Sequence, residues 1–227
     1  MRRPGALRAL TPWLPLAFLA LVAPLPLVVT DPYWLGILIL SMYFALISSG
    51  WNLLAGYTGQ FSLAPATFAM LGAYATGLLC EYAKTPPWIG MIAAVATSAI
   101  IGVILALVVM RLSGAYLALT TLSFAEIARL VIANSYNFTR GDLGLGVPGI
   151  FESRVAWYYV VLGALAAVVV GLMLLLRSPM GLYLKAIRDD EVAAASRGVD
   201  VVYWKTVSFT LSSAIAGLAG GDRKGVV

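Results

Sequence analysis

The sequence predicts an all-α fold: a polytopic integral membrane helical bundle with about seven spanning or near-spanning helices and one broken polar segment. Three observations predict it. The 227 residues are 61% hydrophobic and only 11% charged, with mean hydropathy +0.93. A soluble domain carries about 25% charged residues, so there is too little polar surface here to cover a soluble globule. Apolar runs close to the ~20 residues that span a bilayer recur along the chain. Between two of them lies an uncharged polar cluster, Asn52 to Leu63. At bilayer depth, irregular polar backbone survives only where it is buried in protein or lines a wet cavity.

The elements follow in order as 13–29, 34–54, 66–82, 88–110, 115–134, 157–176 and 203–220, within a single membrane-spanning domain over 1–227. The first has a basic start, Met1-Arg2-Arg3, but is long, contains Pro15, Pro24 and Pro26, and lacks an A-x-A site before Asp31. It therefore reads as a retained helix and not a cleaved leader. Thr30-Asp31-Pro32 ends it. The second runs into the polar cluster. Lys84-Thr85-Pro86-Pro87 separates the third from the fourth, Arg111-Leu112-Ser113-Gly114 the fourth from the fifth, and Arg177-Ser178-Pro179-Met180-Gly181 closes the sixth. Gly72-Ala73-Tyr74 and Gly114-Ala115-Tyr116 recur at the expected starts of the third and fifth helices, a weak hint of an inverted repeat.

The segment 177–202 holds the densest charge in the chain. Within it, Ala186 to Arg197 reads as one short helix, with Asp189, Asp190 and Glu191 near its start, Arg197 at its end and Gly198 as its stop. The last helix carries Ser208, Ser212, Ala216 and Gly220 at every fourth position, with Ser213 and Gly217 beside them. Such stripes let membrane helices approach closely.

Lys and Arg set the sidedness. A cytoplasmic N-terminus places Arg2, Arg3, Arg8, Arg111, Arg177, Lys185, Arg188, Arg197 and Lys205 inside, and Lys84, Arg140 and Arg154, with Arg223 and Lys224 of the short tail, outside. Residues 135–156 then face out, and 177–202 face in.

The chemistry on offer is sparse. There is no histidine and one cysteine, Cys80. That removes histidine-based triads, zinc proteases and intrachain disulfides, so no catalytic, cofactor or metal site is expected and the chain does not read as an enzyme. No clustered basic face points to nucleic acid. Gly144 to Gly149 fits GxGxxG literally, but no strand precedes it and Pro148 interrupts it. What remains is a set of neutral donors and acceptors, Asn52, Tyr57, Thr58, Gln60 and Ser62, able either to line a solute pathway or to satisfy one another at a kink. Glu126 and Arg129 lie three apart within the fifth helix and so share a face. They read either as part of that pathway or as a self-neutralising structural pair.

Four ordered stretches resemble one family. Gly50 to Leu63 with Phe68 to Tyr74, Leu112 to Arg129, Ser178-Pro179-Met180-Gly181 with Lys185 to Gly198, and Ser212 to Gly220 are similar to the signatures of branched-chain amino acid ABC transporter permeases of the LivM-like type. The resemblance implies a permease subunit of the inner membrane that pairs with a second, homologous permease. Cytoplasmic ABC ATPase subunits would power it, and a periplasmic substrate-binding protein would supply it. Branched-chain amino acids are the implied solutes, with urea or short amides as rivals; a self-contained channel or secondary carrier is the alternative from a different class. The resemblance also implies that the cytoplasmic segment docks the ATPase, through Arg188, Asp189, Asp190, Glu191, Ala193, Ala194 and Gly198. Two departures stand out. Thr139-Arg140-Gly141 replaces the usual Thr-Gly-Gly, and family members continue for roughly two or three further spanning helices. A chain incomplete at its C-terminus is therefore expected, with helix 203–220 poorly buried, 221–227 irregular and the product unstable or inactive.

Overall fold

Prolines set many of the helix starts. In the computed structural model of the chain, Pro32, Pro65, Pro87 and Pro179 each stand in the first turn of a helix. There a missing N–H costs nothing and the fixed φ is already helical. The structure describes residues 14–29, 31–112, 114–141, 145 and 153–221. The readings made of Arg2, Arg3 and Arg8, of the Gly144 to Gly149 run apart from Leu145, and of residues 222–227 lie outside the described residues.

The helices are α1 (Leu14–Val22), α2 (Leu25–Val28), α3 (Pro32–Trp51) continued by a π-helical turn (Asn52–Thr58), α4 (Pro65–Tyr82), α5 (Pro87–Val109), α6 (Ala115–Asn134), α7 (Tyr136–Thr139), α8 (Arg154–Arg177), α9 (Pro179–Asp189), α10 (Glu191–Ser196) and α11 (Val201–Gly221). The structure is all-α. Among the described residues, four helices are long and apolar enough to cross a membrane: Pro32–Thr58, Pro87–Val109, Ala115–Asn134 and Arg154–Arg177. The six segments after the first fall within about three residues of their expected starts.

Two elements differ from expectation. The first apolar run is not one helix, because it breaks at Ala23-Pro24 between α1 and α2. Pro24 and Pro26 lack the N–H groups that would carry the ladder through. The helix expected from Ala186 to Arg197 is two helices, α9 and α10. Asp190 adopts an extended φ of −158° and its carboxylate accepts the N–H groups of Val192 and Ala193. The acid expected inside a helix is the N-cap of a new one. Gly198 closes α10 at φ +85°, with Val199 N–H on Ala194 O and Gly198 N–H on Ala195 O, the pairing of a Schellman cap. The Gly-Ala-Tyr tripeptides are not equivalent either: Gly72 lies two turns inside α4, whereas Gly114 precedes α6.

The largest correction concerns α11. Far from being poorly buried, it is the central helix of the chain. Ser208, Ser212, Ser213, Ala216, Gly217, Gly220 and Gly221 are all buried, and α11 packs on α3, α4 and α5. Its stripe of small residues meets Ala94, Ser98 and Gly102 of a small-residue stripe on α5 and Gly72 on α4, while Gly90 of the same α5 stripe faces Thr76 of α4. A Cβ on Gly72 would lie 2.3 Å from the carbonyl oxygen of Gly217, and one on Gly102 would lie 2.5 Å from Ser213 Oγ. Ser98 Oγ donates to Phe68 O across the α5–α4 contact at 3.0 Å. The stripe was legible; its partners inside the chain were not.

Two apolar clusters flank this central helix. One joins α1, α3 and α8 through Leu19, Met42, Leu46, Trp157, Tyr158 and Val161, and includes Ala219. Tyr158 Oη donates to Val22 O and Trp157 Nε1 to Tyr43 Oη. The other joins α4, α5, α6 and α11 through Phe68, Leu105, Val109, Leu117 and Phe209. Polar contacts sort to the two ends of the bundle. Arg188–Gly56 and Gln60–Met110 lie at one end. Arg140–Glu81, Arg154–Pro32 and Tyr74–Gly141 lie at the other.

Candidate functional site

The polar cluster does not interrupt α3 so much as loosen it. From Asn52 to Thr58 the turn widens to the π form, which is uncommon and often found at functional sites. Thr58 Oγ1 donates to Leu53 O at 3.0 Å. Gly59, at φ +73°, ends the turn in the left-handed region that glycine enters freely. Gly59 N–H and Gln60 N–H both return to Leu54 O. The linker to α4 is then held from several sides. Trp51 Nε1 donates to Ser62 O at 2.8 Å, Leu63 N–H to Thr121 Oγ1 on α6 at 3.0 Å, and Ala64 N–H to Ser62 Oγ at 3.3 Å.

The five neutral candidates therefore separate. Thr58 and Ser62 are buried with their hydroxyls engaged locally. Asn52 is exposed, and its side chain folds across Gly56, where any Cβ would sit 2.2 Å from Asn52 Oδ1. Tyr57 is half-buried beneath Lys185 Nζ, 5.9 Å from the ring centroid. Gln60 is buried at 4% exposure. Its Nε2 lies 3.4 Å from Met110 Sδ, and its Oε1 has no hydrogen-bond partner among the described residues. A buried amide oxygen left unmatched costs about 1–3 kcal/mol, so this oxygen retains the capacity to accept a donor.

The charged segment forms an arm of two helices. Leu184, Ile187 and Ala194 are buried beneath it, and the Tyr183 ring packs on Trp204 at 5.2 Å. Of the docking candidates, Arg188 donates to Gly56 O, Glu191 pairs with Lys205, and Ala194 is buried. Asp189, Asp190, Ala193 and Gly198 face outward, together with Val192, which is 79% exposed. Lys205 was missed as an interacting residue. Its side chain is 7% exposed within apolar α11. A lone lysine inside such a run was the available signal, because buried cations need partners.

Glu126 and Arg129 form a two-pronged pair on α6, with Nη2–Oε1 at 2.7 Å and Nε–Oε2 at 3.1 Å. Both side chains are more than half exposed within this chain. Only Leu117 and Thr121 of α6 are buried.

At the opposite end, Arg140 stands at φ +57° and binds Glu81 across 2.7 Å. The backbone here is left-handed, the region that suits the glycine implied by the resemblance. An exposed bridge contributes about 0–1 kcal/mol, and a non-glycine residue in this region costs about 1–2 kcal/mol. Arg140→Gly should leave thermal stability within about 1 kcal/mol of the parent, whereas Arg140→Val should lower it clearly, since a β-branched residue fits this region poorly. Melting curves in detergent check both, and a loss on Arg140→Gly as large as that on Arg140→Val would refute the balance.

With this geometry in place, the chain matches the model of the family described as branched-chain amino acid transport system / permease component over residues 33–221. The chain belongs to this permease family. The match spans α3 to α11, and so takes in the π turn, the charged arm and the central helix. Two relatives carry the description high-affinity branched-chain amino acid transport system permease protein LivM. That of Salmonella typhimurium strain LT2 is 32% identical over 80% of this chain and 50% of its own length. That of Escherichia coli strain K12 is 33% identical over 89% of this chain and 56% of its own length. The chain spans about half the length of these curated relatives. No solved structure matches it.

Proposed function

We propose that this chain acts in the permease subunit of an ABC importer that carries branched-chain amino acids across the inner membrane, driven by a separate ATPase. The observation that carries the reading is the family match over 33–221, which includes an arm whose outer face is apolar and acidic at Asp189, Asp190 and Val192. A second permease, cytoplasmic ATPase subunits and a periplasmic substrate-binding protein complete the proposed assembly. Asn52, Tyr57, Gln60 and the Glu126–Arg129 pair are the pathway candidates that retain groups able to face a solute. A charge pair on a membrane helix is costly against lipid, so α6 is proposed to face a wet path or a partner chain. Uptake of labelled leucine by a transporter assembled around this chain tests the solute class. Competition by isoleucine and valine supports it, and competition by urea or acetamide alone would replace it with the amide reading.

The N-terminus and the α9–α10 arm are proposed to be cytoplasmic. The sorting of polar contacts to two ends supports a common side for the arm and the 56–62 segment. Single cysteines at Ser153 and Ser196, both exposed, should react with an impermeant maleimide in intact spheroplasts at Ser153 only. Labelling at Ser196 would reverse the orientation.

A further inference from the structure

The arm is tied to the polar turn, and the tie is made by residues that a docking surface would be expected to present outward. Residues Pro32–Thr58 form one continuous 27-residue helical run. Its C-terminal end carries carbonyls without N–H partners and a partial negative charge. Because Gly59 and Gln60 both send their N–H groups back to Leu54 O, the Gly56 carbonyl is left for another donor. Arg188 of α9 supplies it. Lys185, three residues earlier on the same face of α9, holds its ammonium over the Tyr57 ring. Gly59 itself lies beneath the arm, where an added Cβ would be 3.7 Å from Arg188 Cβ.

We propose that Arg188, assisted by Lys185, is a positioning residue that clamps the docking arm to the end of the π turn, so that movement of the arm is delivered directly to Gly59–Ser62. This rests on the ATPase-driven permease reading and names the transmission point within it. The arm is a suitable lever, since α9 is seated by buried Leu184 and Ile187 and α10 is anchored to the central helix by Glu191–Lys205. The receiving end is suitably strung. A shift at Gly59 moves Gln60 relative to Met110 and Ser62 relative to Trp51, and disturbs the Leu63–Thr121 bond to α6.

The test uses the assembled transporter in proteoliposomes. Arg188→Ala should lower solute carried per ATP hydrolysed at least tenfold while the ATPase subunit still co-purifies, and Arg188→Lys, which keeps a cation, should recover part of the ratio. A parallel fall in association, hydrolysis and uptake would make Arg188 an ordinary docking contact and overturn the clamp, as would an unchanged ratio. Failure of the unaltered chain to retain any ATPase would instead strike the parent reading. Geometry is tested separately with Gly59→Cys/Arg188→Cys in a Cys80→Ala background. The Cβ separation lies within the 3.5–4.5 Å range of a disulfide. Mild oxidation should cross-link the pair in the nucleotide-free state, and ATP trapping should slow that cross-linking several-fold. No cross-link, or an equal rate in both states, overturns the proposal.

Discussion

Gly72→Ala is expected to destabilise the bundle by about 3 kcal/mol, the upper end of the usual range for overpacking a close-packed core. The three atoms nearest to an added methyl are all backbone atoms of Gly217, at 2.3, 2.8 and 2.9 Å. No rotamer change relieves such a clash, so α4 and α11 must separate. Ordinary carbon contacts lie at about 3.5–4.0 Å, and a shift of about an ångström would forfeit packing along the seam and strain the Ser98–Phe68 hydrogen bond between α5 and α4. Gly163→Ala is the matched control. It lies within α8 with nothing inside 4 Å of the added methyl, and should be neutral or stabilising by up to about 1 kcal/mol through helix propensity. Melting midpoints of the two variants in detergent decide the point. Equal midpoints would mean that α11 is not seated against α4 in the folded protein.

The second large effect is expected at Glu191 and is asymmetric. Glu191→Ala leaves the Lys205 ammonium, 7% exposed, without its carboxylate. Removing one partner of a buried charge pair is worse than removing both. Because Glu191 is itself 44% exposed, the cost is discounted to about 1–3 kcal/mol. Lys205→Met leaves a half-solvated carboxylate behind and should cost less. The double variant Glu191→Ala/Lys205→Met should recover most of the stability lost by Glu191→Ala alone. A double-mutant cycle on thermal stability checks this, and strictly additive losses would show that the two groups do not sense each other. The arrangement also changes what Glu191 does in the arm. Its carboxylate anchors α10 to α11, and the outward acids are Asp189 and Asp190.

The helices were legible because an apolar run bounded by Pro, Gly and charge leaves little choice of structure in a membrane. The break at Asp190 was less legible. Its carboxylate can sit in a first turn or cap a new one, and both satisfy local rules; the flanking Leu184, Ile187 and Ala194 contacts accompany the second arrangement. The small-residue stripe on α11 was readable as a close-packing face, but a stripe does not name its partner. Gly72 and the small residues Ala94, Ser98 and Gly102 on α5 were equally visible, and only the fold brings them against α11. The polar cluster at 52–62 was rightly singled out as irregular. Its division into locally satisfied hydroxyls and a Gln60 amide with an unmatched oxygen could not be read, because Met110, which meets Gln60 Nε2, lies 50 residues away along the chain. The direction of Arg188 was likewise hidden. A motif marks a segment without saying which of its side chains bond back to the rest of the chain.

Drive by a separate ATPase is tested most directly at Val192, the most exposed apolar residue of the arm. A photoreactive residue placed there, in a transporter co-expressed with its ATP-binding subunit, should form an adduct with that subunit. The same residue at buried Leu184 should form none. A Val192 probe that reacts only with lipid or solvent, in vesicles that take up solute on an ion gradient without ATP, would contradict the permease reading and favour a self-contained carrier.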